Sequence, residues 1–126
     1  MTGERILVVE DNEKNMKLFR DVLNATGYTT LGAATGAGAV ALAAERVPDL
    51  VLMDIQLPDI DGVEALARLR DDARTASIPV LALTAQAMHG DRERFLEAGF
   101  DGYVSKPVDI VELVRAVKEH CEGNGR

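Results

Sequence analysis

Short apolar runs alternate along the chain with segments in which apolar residues recur at the spacing of an α-helix. Apolar runs cover residues 6–9, 50–53 and 80–83, and their length and composition are typical of strands buried in a sheet. A second, weaker strand is predicted at residues 28–31 and a short fifth strand at residues 103–105. Helices are predicted for residues 12–26, for an alanine-rich segment ending near residue 46, after Gly62, around residues 91–98 and after Pro107. The pattern therefore predicts five strands, each followed by a helix.

This alternation of strands and helices predicts an α/β fold. Strands that are joined through helices lie parallel, with right-handed crossovers and with helices on both faces of the sheet. A chain of 126 residues is too short for a closed eight-stranded barrel. We therefore predict a doubly wound, flavodoxin-like sheet of five parallel strands in the order 2-1-3-4-5. In this topology the ligand crevice lies at the carboxyl ends of the strands, at the switch point between strands 1 and 3.

Length and composition are typical of one soluble globular domain, with 47% hydrophobic and 28% charged residues. We predict a single domain over residues 1–126, with a core from about residue 5 to residue 121. The net charge of −7 argues against non-specific binding to nucleic acid or to an anionic membrane. The only cysteine is Cys121, and the apolar run near the start has four residues, too few for a signal peptide or a membrane span. We therefore expect a cytoplasmic protein that does not insert into membranes.

Polar residues follow directly after four of the predicted strands. Glu10 and Asp11 follow strand 1, Asp54 follows strand 3, Thr84 follows strand 4 and Lys106 follows strand 5. Because strands 1 and 3 are neighbours in the predicted sheet, the three carboxylates should lie together, and their repulsion should raise at least one pKa. A hard divalent cation relieves this repulsion, and an all-oxygen site favours Mg²⁺, Mn²⁺ or Ca²⁺. Lys106 and Thr84 add a positive charge and a hydroxyl, so the strand ends together suit a phosphoryl group.

Several polar residues also allow a purely structural interpretation. Taken alone, Glu10 and Asp11 would fit a cap of the first helix. Asp59 and Asp61 lie in a turn that contains proline and glycine, and we assign both to the turn and the helix start. The stretch GAATGAG, residues 32–38, lacks the lysine of a phosphate-binding loop and is assigned to a loop and a helix start. The coincidence of polar residues at four strand ends favours a chemical role for the strand-end set.

The motifs around these strand ends resemble those of response-regulator receiver domains, the phosphoacceptor modules of two-component signalling. The resemblance is carried by ILVVEDN, LVLMDIQLPDIDG, PVLALTA and GFDGYVSKP, which together extend to residue 107. The last helix extends it over nearly the whole chain. Within the family, EDNEKNMKLF, MDIQLP and TAQAMHGDRERFLEAG are most similar to single-domain cell-cycle regulators of the DivK type.

The resemblance implies a role for each strand-end carboxylate. Asp54 would be the phosphoacceptor and would attack a phosphohistidine on a sensor histidine kinase or a histidine phosphotransfer protein. Asp11 and Asp54 would bind Mg²⁺, or Mn²⁺, through their carboxylates, with Glu10 assisting through water. The backbone carbonyl of Gln56 would complete the protein ligands. Many family members carry aspartate where this chain has Glu10, and a role through water tolerates the extra methylene.

The resemblance also implies how the signal would leave the site. Thr84 and Lys106 would hold the phosphoryl oxygens, Tyr103 would be an aromatic switch, and the Lys106-Pro107 peptide would be cis. A downstream protein would bind the face formed by the fourth helix, the fifth strand and the fifth helix. The protein would not be an enzyme beyond catalysing its own phosphorylation and dephosphorylation. No length remains after residue 120 for a DNA-binding output domain, so we expect the output to be a protein contact.

Three other functions are consistent with parts of this pattern. A haloacid-dehalogenase-like phosphatase also uses a strand-end aspartate and Mg²⁺, but it would need a second aspartate where Gln56 stands, and usually a cap domain. A flavodoxin-like cofactor carrier would need a hydroxyl- or glycine-rich phosphate loop after strand 1, where this chain has the acidic EDNE. A phosphorylation-independent docking module would have no use for the complete acceptor set.

Overall fold

Five parallel strands form one sheet in the order β2-β1-β3-β4-β5. The computed structural model describes residues 4–85 and 91–124 of the chain. The strands are β1 Arg5–Val9, β2 Thr29–Ala33, β3 Leu50–Asp54, β4 Val80–Thr84 and β5 Gly102–Ser105. The helices are α1 Glu13–Ala25, α2 Gly36–Arg46, α3 Gly62–Arg70, α4 Asp91–Ala98 and α5 Ile110–Asn124. The predicted fold class and strand order are confirmed.

Two layers of core side chains lie on opposite faces of the sheet, because successive residues of a strand point to opposite sides. In β1, Leu7 and Val9 belong to one layer, and Ile6 and Val8 belong to the other. Helices α2, α3 and α4 pack on the first layer through Ala39, Ala43, Ala65, Leu66, Leu69 and Phe95. Helices α1 and α5 pack on the second layer through Phe19, Leu23, Leu113, Val117 and Cys121. Each large apolar side chain buried in this way stabilises the fold by roughly 1.5–3 kcal/mol.

The second strand differs from its prediction at both ends. It was predicted at residues 28–31, but it runs over Thr29–Ala33. Gly32 and Ala33, which were assigned to a loop, pair in register with Val8 and Val9 of β1. Glycine and alanine have a weak strand propensity, so pairing with β1 is what extends β2 over these two residues. Helix α2 then begins at Gly36, with the side chain of Thr35 as its N-cap.

The registers of the central strands bring their carboxyl ends to one edge of the sheet. Val9 of β1 is level with Met53 of β3, so Glu10 and Asp54 follow side by side. Thr84 is level with Ser105 of β5, so Lys106 lies one residue beyond that row. These registers place Glu10, Asp54, Thr84 and Lys106 at the same edge of the sheet.

None of the described helices combines the length and the apolar character needed to cross a bilayer.

Candidate functional site

Asp54 is the last residue of β3 and is buried although it carries a carboxylate. Its Oδ1 accepts a hydrogen bond from the Gln56 backbone N–H at 3.0 Å. Its Oδ2 accepts a hydrogen bond from the Lys106 ammonium at 2.8 Å. The four strand residues before it, Leu50 to Met53, have no exposed surface at all. A buried strand therefore presents this carboxylate in a fixed place, with a donor on each oxygen.

Lys106 also pairs with the second buried carboxylate, that of Glu10. Its Nζ lies 3.1 Å from Glu10 Oε1, while Glu10 Oε2 accepts a hydrogen bond from the Asn12 backbone N–H at 3.1 Å. The contact with Oε1 is an ion pair without hydrogen-bond geometry, and no described residue donates a hydrogen bond to that atom. Two buried negative charges thus share one ammonium group, and one buried oxygen is left without a donor.

Asp11 completes a group of three carboxylates with Glu10 and Asp54. One carboxylate oxygen from each residue can be chosen so that all three lie within 4.8 Å of one another. Asp11 is exposed, unlike the other two. Helix α1 is capped by Asn12, whose side chain accepts a hydrogen bond from the Asn15 N–H at 3.0 Å. Helix capping therefore does not account for the position of Asp11.

The burial of these charges shifts their protonation equilibria. Burial raises the pKa of Glu10 above its usual value, and the nearby Asp54 charge adds to the rise, although the hydrogen bond from Asn12 and the positive charge of Lys106 oppose it. Burial also acts against the charged form of Lys106, but the hydrogen bond that it donates to Asp54 and the negative charges of Asp54 and Glu10 outweigh this effect and raise its pKa. The cluster holds an excess of negative charge, which a divalent cation would neutralise.

Oxygen chemistry and geometry both fit a hard divalent cation at this cluster. Mg²⁺ prefers carboxylates, backbone carbonyls and water, and Glu10, Asp11 and Asp54 offer three carboxylates at short range. The Glu10 oxygen without a hydrogen-bond donor is an additional indication, because buried polar atoms normally have a partner. These three side chains are the residues that could hold the ion.

The loop from β3 to α3 passes directly beside Asp54. A Cβ atom at Gly62 would lie 2.7 Å from the Asp54 carbonyl oxygen and 2.9 Å from the Ile55 Cα, so only glycine fits this close approach. The Gly62 N–H donates to the Ile55 carbonyl at 2.8 Å. Asp61 caps α3 by accepting from the Glu64 N–H, as its assignment to the helix start predicts. Backbone contacts thus close the loop around the candidate nucleophile.

Asp59 does not cap the helix that follows it. It was assigned with Asp61 to the turn and the helix start, but its two carboxylate oxygens accept from the N–H groups of Gly36 and Ala37 at 2.8 Å and 2.9 Å. These N–H groups open α2, more than twenty residues earlier in the chain. Asp59 lies in the predicted turn, but its assignment to the start of the helix that follows is wrong. The signal that could have shown this contact is that α2 begins with small residues and open N–H groups that need an acceptor.

The remaining candidates lie on β4 and β5. Thr84, the last residue of β4, is buried, and its carbonyl accepts from the Lys106 N–H at 2.8 Å. The Lys106-Pro107 peptide is cis, as the sequence resemblance implied. Tyr103 lies on the edge strand β5, half-buried, with its ring centroid 6.5 Å from that of Phe95. Glu10, Asp11, Asp54 and Lys106 therefore form one cluster, whereas Tyr103 packs away from it against α4.

The chain matches the family model described as "Response regulator receiver domain" over residues 6–118. It is 47% identical over 115 residues to the polar-differentiation response regulator DivK of Brucella ovis, covering 91% of this chain and 94% of the relative. The DivK protein of Brucella anthropi is similar to the same extent.

Solved structures show the same fold. The receiver domain of the sensor histidine kinase PA1611 from Pseudomonas aeruginosa superposes with a TM-score of 0.87 and 37% identity, covering 96% of this chain and 99% of that chain. That structure contains a magnesium ion coordinated in its active-site cleft. A response regulator from Chloroflexus aurantiacus superposes with a TM-score of 0.89 at 32% identity, with the same coverage.

Replacing Glu10 with Gln is expected to stabilise the metal-free protein at neutral pH. The folded-state pKa of Glu10 is raised above 4.5, its ordinary value. Its contribution to stability is therefore present below that value and is lost as the pH rises through the folded-state pKa. Urea unfolding with a chelator present should give Glu10→Gln a larger free energy of unfolding than wild type at pH 7. The difference should shrink as the pH falls toward about 4.

Glu13→Gln is the matched control for this measurement. Glu13 is exposed in the first turn of α1, where a negative charge favours the helix dipole. This variant should lose about 0.5 kcal/mol at neutral pH rather than gain stability. A Glu10→Gln protein less stable than wild type at pH 7 would show that pairing with Lys106 outweighs the burial of Glu10.

Proposed function

The chain belongs to the response regulator receiver domain family, and from this membership we propose that Asp54 accepts a phosphoryl group from a phosphohistidine of a partner protein. A carboxylate oxygen of Asp54 attacks phosphorus, the P–N bond to the partner's histidine breaks, and the electron pair stays on the imidazole nitrogen. The buried and doubly hydrogen-bonded position of the Asp54 carboxylate supports this assignment most directly. The family match and this geometry favour a signalling phosphoacceptor over the phosphatase alternative.

We propose that Mg²⁺ is held by the carboxylates of Asp11 and Asp54, by Glu10 through water and by the backbone carbonyl of Gln56. Mn²⁺ fits the same oxygen ligands. When bound, the cation neutralises negative charge on the phosphoryl oxygens and on the acceptor. The crowding of the Glu10, Asp11 and Asp54 carboxylates supports this site.

Lys106 and Thr84 are proposed to hold the phosphoryl group once it is on Asp54. Phosphorylation removes the free Asp54 carboxylate and adds roughly −1.5 to −2 charge with strong acceptor oxygens. The Lys106 ammonium, now 2.8 Å from Asp54 Oδ2, is close enough to pair with those oxygens. Thr84 ends the strand next to β3 and can supply a hydroxyl donor at the same edge of the sheet.

We propose that Thr84 and Tyr103 convert phosphorylation into a change of surface. Thr84 moving toward the phosphoryl group would vacate space that the Tyr103 ring can enter. Tyr103 borders a groove of about 400 Å³ between β5 and α5. Leu96 on α4 and Val111 on α5 are exposed apolar side chains. The face formed by α4, β5 and α5 is therefore the proposed contact for a downstream protein.

The name of the curated relatives points to the kind of pathway. The Brucella proteins are called polar-differentiation response regulators. We propose that this chain receives its phosphoryl group from a sensor histidine kinase or a histidine phosphotransfer protein, and acts in control of cell polarity and the cell cycle. Its output would be a protein–protein contact.

Asp54→Asn is expected to abolish phosphorylation, because an amide is a poor nucleophile. Incubation with acetyl phosphate and Mg²⁺, followed by intact mass spectrometry, should add one phosphoryl group to wild type and none to the variant. Asp61→Asn is the control, because Asn is an equally good helix cap and Asp61 lies in the same loop. Labelling of Asp54→Asn at the wild-type level would disprove the acceptor assignment.

Asp11→Ala is expected to remove most of the stabilisation that Mg²⁺ confers. A ligand at about 100 times its Kd stabilises a folded protein by about 2.7 kcal/mol, and wild type should gain this amount. Asp11 is exposed, so the variant should fold normally. Thermal unfolding with and without Mg²⁺ measures the gain, with Glu13→Ala as a nearby acidic control. An undiminished gain in Asp11→Ala would place the ion at other residues.

Thr84→Ala is expected to uncouple Tyr103 from the acceptor site. Adding beryllofluoride and Mg²⁺ to wild type should shift the NMR signals of the Tyr103 ring, because the phosphoryl analogue draws Thr84 away from it. Ser105→Ala is the control, because Ser105 is exposed and level with Thr84 in the sheet. The shift should persist in Ser105→Ala and be lost in Thr84→Ala. A full shift in Thr84→Ala would exclude Thr84 from the switch.

A further inference from the structure

Asp59 joins the β3–α3 loop to the start of another helix. Its Oδ1 accepts a hydrogen bond from the Gly36 N–H at 2.8 Å, and its Oδ2 accepts one from the Ala37 N–H at 2.9 Å. The first N–H groups of a helix have no partner within the helix and carry the positive end of its dipole. The hydrogen bonds of Ala37 and Gly36, with that of Ile60, lower the pKa of Asp59 to about 2. The carboxylate is therefore charged throughout the physiological pH range.

Ile60 strengthens the same junction through packing. A Cβ atom on Gly36 would overlap Ile60 Cγ1, so the loop lies directly on the first residue of α2. Gly36 is itself buried at this contact. Two adjacent residues of the loop thus fix it to α2, one through charge and the other through shape.

The loop that Asp59 holds is the one that borders the cation site. The loop begins directly after Asp54, and near this end the Gln56 N–H donates a hydrogen bond to Asp54 Oδ1. The loop ends at Asp61, which caps α3. Both ends of the loop are therefore held by their own contacts, and Asp59 holds its middle against a separate element.

We propose that Asp59 is a positioning residue. By binding the start of α2, it holds the β3–α3 loop in the position in which the Gln56 carbonyl can bind the cation at Asp11 and Asp54. This inference depends on the metal site proposed above. A residue that supports a metal ligand affects the affinity for the ion without touching it.

Helix capping alone does not require Asp59. Thr35 already caps α2, because its hydroxyl oxygen accepts from the Gly38 N–H at 3.0 Å. Thr35 belongs to the chain that leads into α2 and makes no link to the β3–α3 loop through this hydrogen bond. The two residues therefore separate the stability of α2 from the position of the loop.

The test compares Asp59→Ala with Thr35→Ala by calorimetric titration of Mg²⁺. Each variant removes a side chain that accepts hydrogen bonds from the first N–H groups of α2, so the two should show similar falls in melting temperature. Residues that support metal ligands typically change affinity by roughly 10–100-fold, and Asp59→Ala should raise the Kd for Mg²⁺ by about tenfold. Thr35→Ala should keep the wild-type Kd, and Asp59→Asn, which retains one carbonyl acceptor, should recover part of the affinity.

A second measurement needs no metal. Amide hydrogen exchange in the presence of a chelator should be faster at Gln56 in Asp59→Ala than in Thr35→Ala, because only the first variant releases the loop. Equal Kd values for Mg²⁺ and equal exchange in the two variants would overturn the proposal while leaving the acceptor function intact. A wild type that binds no Mg²⁺ at Asp11 and Asp54 would overturn the metal site and this inference together.

Discussion

The site depends on the ion pairs that the ammonium group of Lys106 forms with two buried carboxylates. This ammonium lies 2.8 Å from Asp54 and 3.1 Å from Glu10. Each buried charge is costly to remove from water and is tolerated only because the others compensate for it. One ammonium cannot balance two carboxylates and the neighbouring Asp11, so the resting site retains an unmet demand for positive charge. A divalent cation would meet that demand, and together with Lys106 it would compensate the negative charge that a transferred phosphoryl group adds.

The doubly wound sheet explains why these groups can be held so close together. Glu10 and Asp11 follow β1, Asp54 ends β3 and Lys106 follows β5, and the core on both faces of the sheet fixes these strands. A buried strand positions Asp54 more firmly than a surface loop could, while the loops around it supply backbone groups. The same sheet places Tyr103 on the edge strand, half-buried and next to Phe95 of α4.

Much of this arrangement could be predicted from the sequence, because buried parallel strands appear as apolar runs and strand ends follow from them. The strand order and the joint position of Glu10, Asp11, Asp54 and Lys106 are examples. The extension of β2 through Gly32 and Ala33 could not be predicted in this way, since it depends on pairing with β1 rather than on local propensity. The contact of Asp59 with α2 was missed for a related reason: an aspartate directly after a proline, two residues before Asp61-Gly62, is typical of a turn, whichever helix it finally caps.

A crystal structure of the protein with Mg²⁺ and beryllofluoride would test the central claim most directly. We expect beryllium bonded to the Asp54 carboxylate, Mg²⁺ coordinated by Asp11 and Asp54, and the Lys106 ammonium in contact with fluoride. Beryllofluoride bound to another carboxylate, or Mg²⁺ bound away from these residues, would contradict the account.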